Sequence, residues 1–295
     1  MSQSQLTSRL VARHAVGVQA SLPPHQESDN RARQQELEAK LGALQKDYLD
    51  LHTALFEAAQ VHRRLCAPRL VRHGAFEIAS EIFAVRQLPG DFFTVEEASG
   101  SVILALGDIC GKGLAAGMWT THLVGLVGTH TAASLEPHTI VAGVNRDFCR
   151  MSSVVPLTSL FLARLDPATG KLDYSSAGHP PTLLLRTDGS LESLTEGGPL
   201  LGVVPSTSYT RGCVELRSGD VLLAYSDGIL ESRNSADQEF GYERLEAQLR
   251  HTRTASVEAV LFSVLGAVQD FAAASPLADD MSLVVVRRDA AQGNV

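Results

Sequence analysis

Four aspartates stand at the lips of apolar segments. Asp91 follows Gly90 and precedes FFTV, Asp108 follows Gly107 at the end of SVILAL, Asp227 precedes Gly228 at the end of DVLLAYS, and Asp279 pairs with Asp280 ahead of MSLVVV. A lone Asp-Gly is most simply a turn aspartate bonded to its own backbone. Four of one grammar are a different matter, because carboxylates converging from several strands repel one another unless cations neutralise them. Oxygen-rich clusters select hard divalent ions such as Mg²⁺ or Mn²⁺, and the sequence holds no competing cluster of Cys and His. Two such ions clamp a phosphoryl oxygen for in-line displacement, so the chemistry implied is hydrolysis of a phosphate ester.

The segment LALGDICGKGLAAG around Asp108 must be told apart from a nucleotide-binding P-loop. A P-loop needs GxxxxGK followed by Ser or Thr; here Gly107, Gly111 and Lys112 give GxxxGK and then Gly113, so spacing and magnesium-binding hydroxyl are both missing. The glycines instead permit a tight turn that can aim the Ile109 carbonyl at a metal. Lys112 reads as a surface lysine closing that turn or as a phosphate contact. His179, in AGHPP, reads as a loop-shaping residue rather than a general acid for the leaving alkoxide, and Cys110 as a small buried residue.

These residues need elements to hold them. FEIASEIFAV, DFFTVEE and SVILALGD are short apolar or alternating segments, the last two joined by a hairpin turn at EEASGS. LTSLFLARLD and KLDYSSAG form a second hairpin, TLLLRTDGSLESL a third through Asp188-Gly189, and DVLLAYSDG and MSLVVVRR are further strands. Helical composition fills 113 to about 150 and the stretch from RLEAQLRH to VQDFAA. Hairpins with helices inserted in blocks predict an α+β layered fold with antiparallel sheets rather than a doubly wound parallel one.

Ahead of this body lies a heptad pattern: Leu37, Leu41, Leu44, Tyr48, Leu51, Leu55, Ala58, His62 and Leu65 follow steps of four and three. A stripe of that length is expected to pair with a copy of itself, making 30–65 a coiled-coil-like regulatory and dimerisation helix after a flexible arm at 1–29. His62 reads as a tolerated seam residue. A net charge of −8 disfavours nucleic acid and anionic membranes as partners. Four scattered cysteines suggest neither zinc site nor disulfides, and no signal peptide or membrane span is seen, so a cytoplasmic protein is expected.

LPGDFFTV, GDICGKGLAAG, AGHPPTLLL, LLAYSDGILESRN and DDMSLVVVRR, in this order, resemble the PPM family of metal-dependent protein serine/threonine phosphatases in its bacterial SpoIIE/RsbU-type branch. The resemblance runs from about Phe76 to Arg288. It implies two central antiparallel β-sheets flanked by helices (an αββα sandwich), a phosphatase domain at 74–288 with a tail at 289–295, and two Mn²⁺ or Mg²⁺ ions at one end. By similarity Asp108 bridges both ions, Asp91 and the Ile109 carbonyl hold one, and Asp227 and Asp279 hold the other, Asp279 being preferred to Asp280. Arg86, five residues before Asp91, matches the place of the family's phosphate-binding arginine, although a solvated strand-edge arginine carries the same signal. The implied substrate is a phosphorylated regulator such as an anti-anti-sigma STAS protein in a partner-switching circuit. Two departures, Pro89 where the family has Gly and Cys110 where it has Ser, also fit a catalytically silent partner-binding module.

Overall fold

The computed structural model describes residues 24–65, 69–86, 88–152, 154–273 and 275–289, with side chains from 29 onward. The chain divides into two compact units between Ala54 and Leu55. In the first, the described residues are the body of helix α1 (Pro24–Leu65), which continues into the second unit. Its heptad residues Leu37, Leu41, Leu44, Tyr48 and Leu51 are each more than half exposed. Helix therefore covers the last residues of the expected arm, and the rest of that arm lies outside the described residues.

The second unit follows the order β1 (Leu70–His73), β2 (Phe76–Phe83), β3 (Phe92–Ala98), β4 (Ser101–Ile109), α2 (Leu114–Ala133), α3 (Pro137–Arg150), β5 (Thr158–Leu165), β6 (Lys171–Ala177), β7 (Thr182–Leu185), β8 (Leu191–Leu194), β9 (Gly197–Gly198), β10 (Gly212–Glu215), β11 (Val221–Tyr225), α4 (Asp227–Leu230), α5 (Gly241–His251), α6 (Val257–Ala272) and β12 (Met281–Arg288). Sheet one is ordered β1-β2-β12-β11-β7-β8; sheet two is β10-β6-β5-β4-β3, with β9 alongside β6. Every pairing is antiparallel except the short β6–β9 contact. The α+β sandwich of two antiparallel sheets flanked by helices is the observed architecture.

Local chemistry explains the hairpins. Ser99 and Gly100 both adopt positive φ, 50° and 79°, which suits a two-residue turn whose twist matches the strands it joins. Gly189 turns β7 into β8 with φ 88°. Three apolar layers then stack. Leu104, Leu106, Phe161, Leu222 and Val284 fill the space between the sheets; Ile103, Leu123, Ile140 and Leu160 join sheet two to α2 and α3; Leu223, Leu261, Val264 and Val285 join sheet one to α5 and α6. A strand's two faces are filled by residues of opposite parity, and that parity decides what the strand ends present.

Candidate metal centre

Along β4, Val102, Leu104 and Leu106 face the inter-sheet core, so Asp108 continues the same face at the strand's end. The rule repeats on β3, β5, β11 and β12. Phe93 on β3 is preceded in parity by Asp91, Phe161 on β5 by Ser159, and Val284 on β12 by Ser282 and Asp280; Ala224 on β11 is followed by Ser226. The interior thus turns from apolar to polar across one end of the sandwich. Phe92 pairs with Gly107 and Ser159 with Asp108, which sets Asp91, Asp108 and Ser159 in one row across sheet two.

The row is short of positive charge. Asp91 is only 1% exposed and its Oδ2 has no hydrogen-bond partner. Burial pushes its carboxyl well above the usual carboxylate range, and the neighbouring Asp108 charge adds to this, against the pull of the Ser282 and Ser226 hydroxyls. Burial, and then the charge of Asp227, raise Asp108 to about 6. Asp227, at the start of α4, is raised by burial and then by Asp279. Glu231 is raised too, by burial and then by Asp227. Among the described residues none of Asp91, Asp108 and Asp227 has an ion pair with a basic side chain, whereas Lys112 Nζ lies 2.9 Å from Asp279 Oδ2 and donates to the Ala278 carbonyl.

The Gly-Asp dipeptides have a packing reason. A Cβ on Gly90 would lie 2.9 Å from the Ile109 carbonyl oxygen, 3.0 Å from that of Gly111 and 3.5 Å from Asp108 Oδ1. Three oxygens therefore gather at this glycine. A Cβ on Gly107 would lie 2.6 Å from the Phe92 ring, and one on Gly228 would collide with the Asp280 backbone carbonyl. Glycine lets the strand ends approach this closely.

The two acids of the Asp279-Asp280 pair have different surroundings. Asp280 is buried and accepts from the backbone N–H of Val85 (2.7 Å) and Gly90 (2.8 Å), one per carboxylate oxygen. It ties β12 to the loop that carries Asp91. Asp279 has a half-exposed side chain and faces Lys112 and Asp227. Asp280's bracing role has a sequence signal only in retrospect, as an acid of inter-sheet parity just before a strand.

The remaining expected site residues fall as follows. Ile109 ends β4 with a buried side chain. Arg86 is exposed and its side chain lies over Gly113, at the mouth of the turn after Asp108. Pro89 is buried without removing a bond the loop uses, since the donors to Asp280 are Val85 and Gly90. Cys110 is exposed, contrary to the reading as a small buried residue, and its backbone N–H bonds the Leu157 carbonyl at 2.8 Å. His179 is buried with its Nδ1 2.8 Å from Ser159 Oγ. Burial lowers its pKa to about 3, against a smaller opposing effect of the Tyr225 backbone. A neutral ring without access to solvent cannot protonate a departing alkoxide.

Among the described residues no three Asp, Glu, His or Cys side chains already close around a single point. The donor set nonetheless suits a hard cation: carboxylates and a backbone carbonyl, one carboxyl oxygen orphaned in the interior, and like charges raising one another's pKa. The Ile109 carbonyl and Asp108 Oδ1 lie beside Gly90, next in sequence to Asp91, and the charge of Asp279 acts on Asp227 as that of Asp227 acts on Asp108.

The family described as Stage II sporulation protein E (SpoIIE) matches residues 98–289. Protein IcfG of Synechocystis sp. is 24% identical over 201 residues, covering 59% of this chain and 32% of its own length. Phosphoserine phosphatase RsbU of Bacillus subtilis is 25% identical over 238 residues, covering 78% of this chain and 69% of its own. The chain thus spans about a third of the first relative and just over two thirds of the second. Among solved structures, the SiaA-PP2C domain of Pseudomonas aeruginosa superposes with a TM-score of 0.73 at 18% identity, covering 81% of this chain and 98% of that one. That likeness concerns the fold.

Proposed function

Because the chain belongs to the SpoIIE family, we propose that it is a metal-dependent protein phosphatase acting on phosphoserine or phosphothreonine of a regulatory phosphoprotein, a STAS-type partner-switching protein being the substrate. The observation that carries this reading is the row of buried and half-buried carboxylates without cation partners at one end of the sandwich. A relative named as a phosphoserine phosphatase supports it.

In this reading Asp91, Asp108 and the Ile109 carbonyl hold one Mn²⁺ or Mg²⁺ and Asp108, Asp227 and Asp279 the other. When bound, such a pair polarises the phosphoryl group and supplies a nucleophile from water at neutral pH. The chain's own residues do the rest. Asp280 fixes the 85–90 loop, and with it the backbone from which Asp91 projects. Arg86, exposed at the mouth, offers a planar guanidinium to two phosphate oxygens.

The domain reading is a phosphatase domain at 74–288 and a helix at 30–65 that forms a homodimer in the cytoplasm. The exposed stripe of Leu37, Leu41, Leu44, Tyr48 and Leu51 supports self-association; among the described residues no helix is long and apolar enough to cross a membrane. Purified protein with Mn²⁺ is expected to hydrolyse an aryl phosphate and a phosphorylated STAS protein, and Asp227→Asn to abolish both. Activity that survives this change, or that persists in excess chelator, refutes the reading.

A further inference from the structure

We propose that His179 is a positioning residue for the metal centre: through its hydrogen bond it fixes the Ser159 hydroxyl as a rigid polar wall beside Asp108. The inference rests on the metal reading above and adds residues that none of the strand-end aspartates reveals.

The geometry begins with register. Ser159 is the direct cross-strand partner of Asp108, and both follow the parity of the inter-sheet face. Directly paired residues of an antiparallel ladder have Cβ atoms about 4.5–5.5 Å apart. Asp108 is therefore flanked by Asp91 on the β3 side and by Ser159 on the β5 side. A serine hydroxyl alone rotates among three staggered positions. Here it cannot, because Ser159 Oγ is 2.8 Å from His179 Nδ1.

The backbone that carries the imidazole is itself held in place. Gly178, with φ +62°, turns the chain out of β6, and its N–H bonds the Gly198 carbonyl at 2.9 Å. The His179 backbone N–H bonds Ser176 Oγ at 3.2 Å. Pro180 and Pro181 follow, and proline's fixed φ stiffens the exit. The ring is buried and its Nε2 has no hydrogen-bond partner, so Ser159 is the one side chain hydrogen-bonded to it among the described residues. On this reading the AGHPP turn serves the neighbouring strand β5 through Ser159.

Groups one step removed from a ligand typically change metal affinity by about 10–100-fold when lost. Calorimetric titration of the full chain with Mn²⁺ tests the idea on the wild type, Ser159→Ala, His179→Gln, His179→Asn, the Ser159→Ala/His179→Gln double variant and Asp108→Asn. Ser159→Ala and His179→Gln are each expected to weaken Mn²⁺ binding by about 10-fold, the double variant no further, because both act through one contact. His179→Asn, whose amide can take the place of Nδ1, is expected to recover part of the loss. Metal-free Ser159→Ala, which orphans the buried His179 Nδ1, is expected to unfold below the wild type, so the titrations are run well below both unfolding midpoints. Should His179→Gln fail to fold, Ser159→Ala decides. Ser159→Ala that binds Mn²⁺ like the wild type, while Asp108→Asn has lost it, overturns the positioning role and leaves the metal reading standing. A wild-type chain that gives no Mn²⁺ heat overturns both.

Discussion

Neutralising Asp108 should stabilise the metal-free protein. In the folded chain this carboxyl is raised to about 6 by burial and by Asp227, against an ordinary value of 3.8. The folded state therefore holds a proton at pH 5 that the unfolded chain has released. As pH rises through about 6 the folded state has to carry the buried charge, and stability from this group is lost. The gap of about 2.2 units between those two values corresponds to about 3 kcal/mol at 1.36 kcal/mol per unit. Asp108→Asn, in chelator at pH 7, is expected to gain up to about 3 kcal/mol in urea unfolding, or about 6–12 °C in Tm for a body of this size. The gain should shrink toward zero below about pH 3, where the wild-type carboxyl is protonated in both the folded and the unfolded state. With saturating Mn²⁺ the order should reverse, since only the wild type retains the ligand. An Asp108→Asn protein that is less stable than the wild type in chelator at pH 7 refutes the account of an uncompensated carboxylate.

The adjoining residues yield sharper contrasts. Asp280→Ala should cost about 1–3 kcal/mol for each of the two backbone N–H groups it orphans, read by urea unfolding, whereas Asp279→Asn should leave stability near wild type and lower Mn²⁺ affinity. Equal stability losses in the two variants would contradict the division of labour. Gly228→Ala should destabilise by more than about 3 kcal/mol, because the new Cβ meets a backbone carbonyl that cannot swing away. Arg86→Ala should reduce turnover of a phosphorylated STAS protein at least about 10-fold while Mn²⁺ affinity stays unchanged, a loss that Arg86→Lys restores only in part. Leu41→Glu with Leu44→Glu should convert a dimer to a monomer in light scattering; a wild-type chain already monomeric would count against the helix as an interface.

The sequence carried the architecture where side chains report it directly. The short apolar runs in FFTVEEA and SVILALGDI, joined at Ser99-Gly100, gave β3 and β4, and Asp188-Gly189 gave the β7–β8 turn. Short edge strands such as β1 and β10 escaped, since four residues with one exposed face carry little periodic signal. The candidate ligands were legible for a different reason: each is an acid beside the end of an apolar strand, Asp91 and Asp108 at inter-sheet parity. Roles that depend on partners far along the chain were not legible. Asp279 and Asp280 are neighbours of one residue type, and only the N–H groups of Val85 and Gly90 tell them apart. Cys110 likewise had no local cue to its exposure, which follows from how the turn after β4 is held to Leu157.

The bond from Asp280 to Gly90 spans 190 residues of sequence, and β12, which follows it, is inserted between β2 and β11. During synthesis on the ribosome, Asp91 and Asp108 emerge early, yet the strand that completes sheet one and secures their loop comes after every other strand and helix of the body. The nascent chain should therefore be inert toward phosphate until β12 is in place. Premature termination before Met281 should leave no residual catalysis and an open slot in the middle of a sheet, which makes such fragments prime clients for chaperones and proteases.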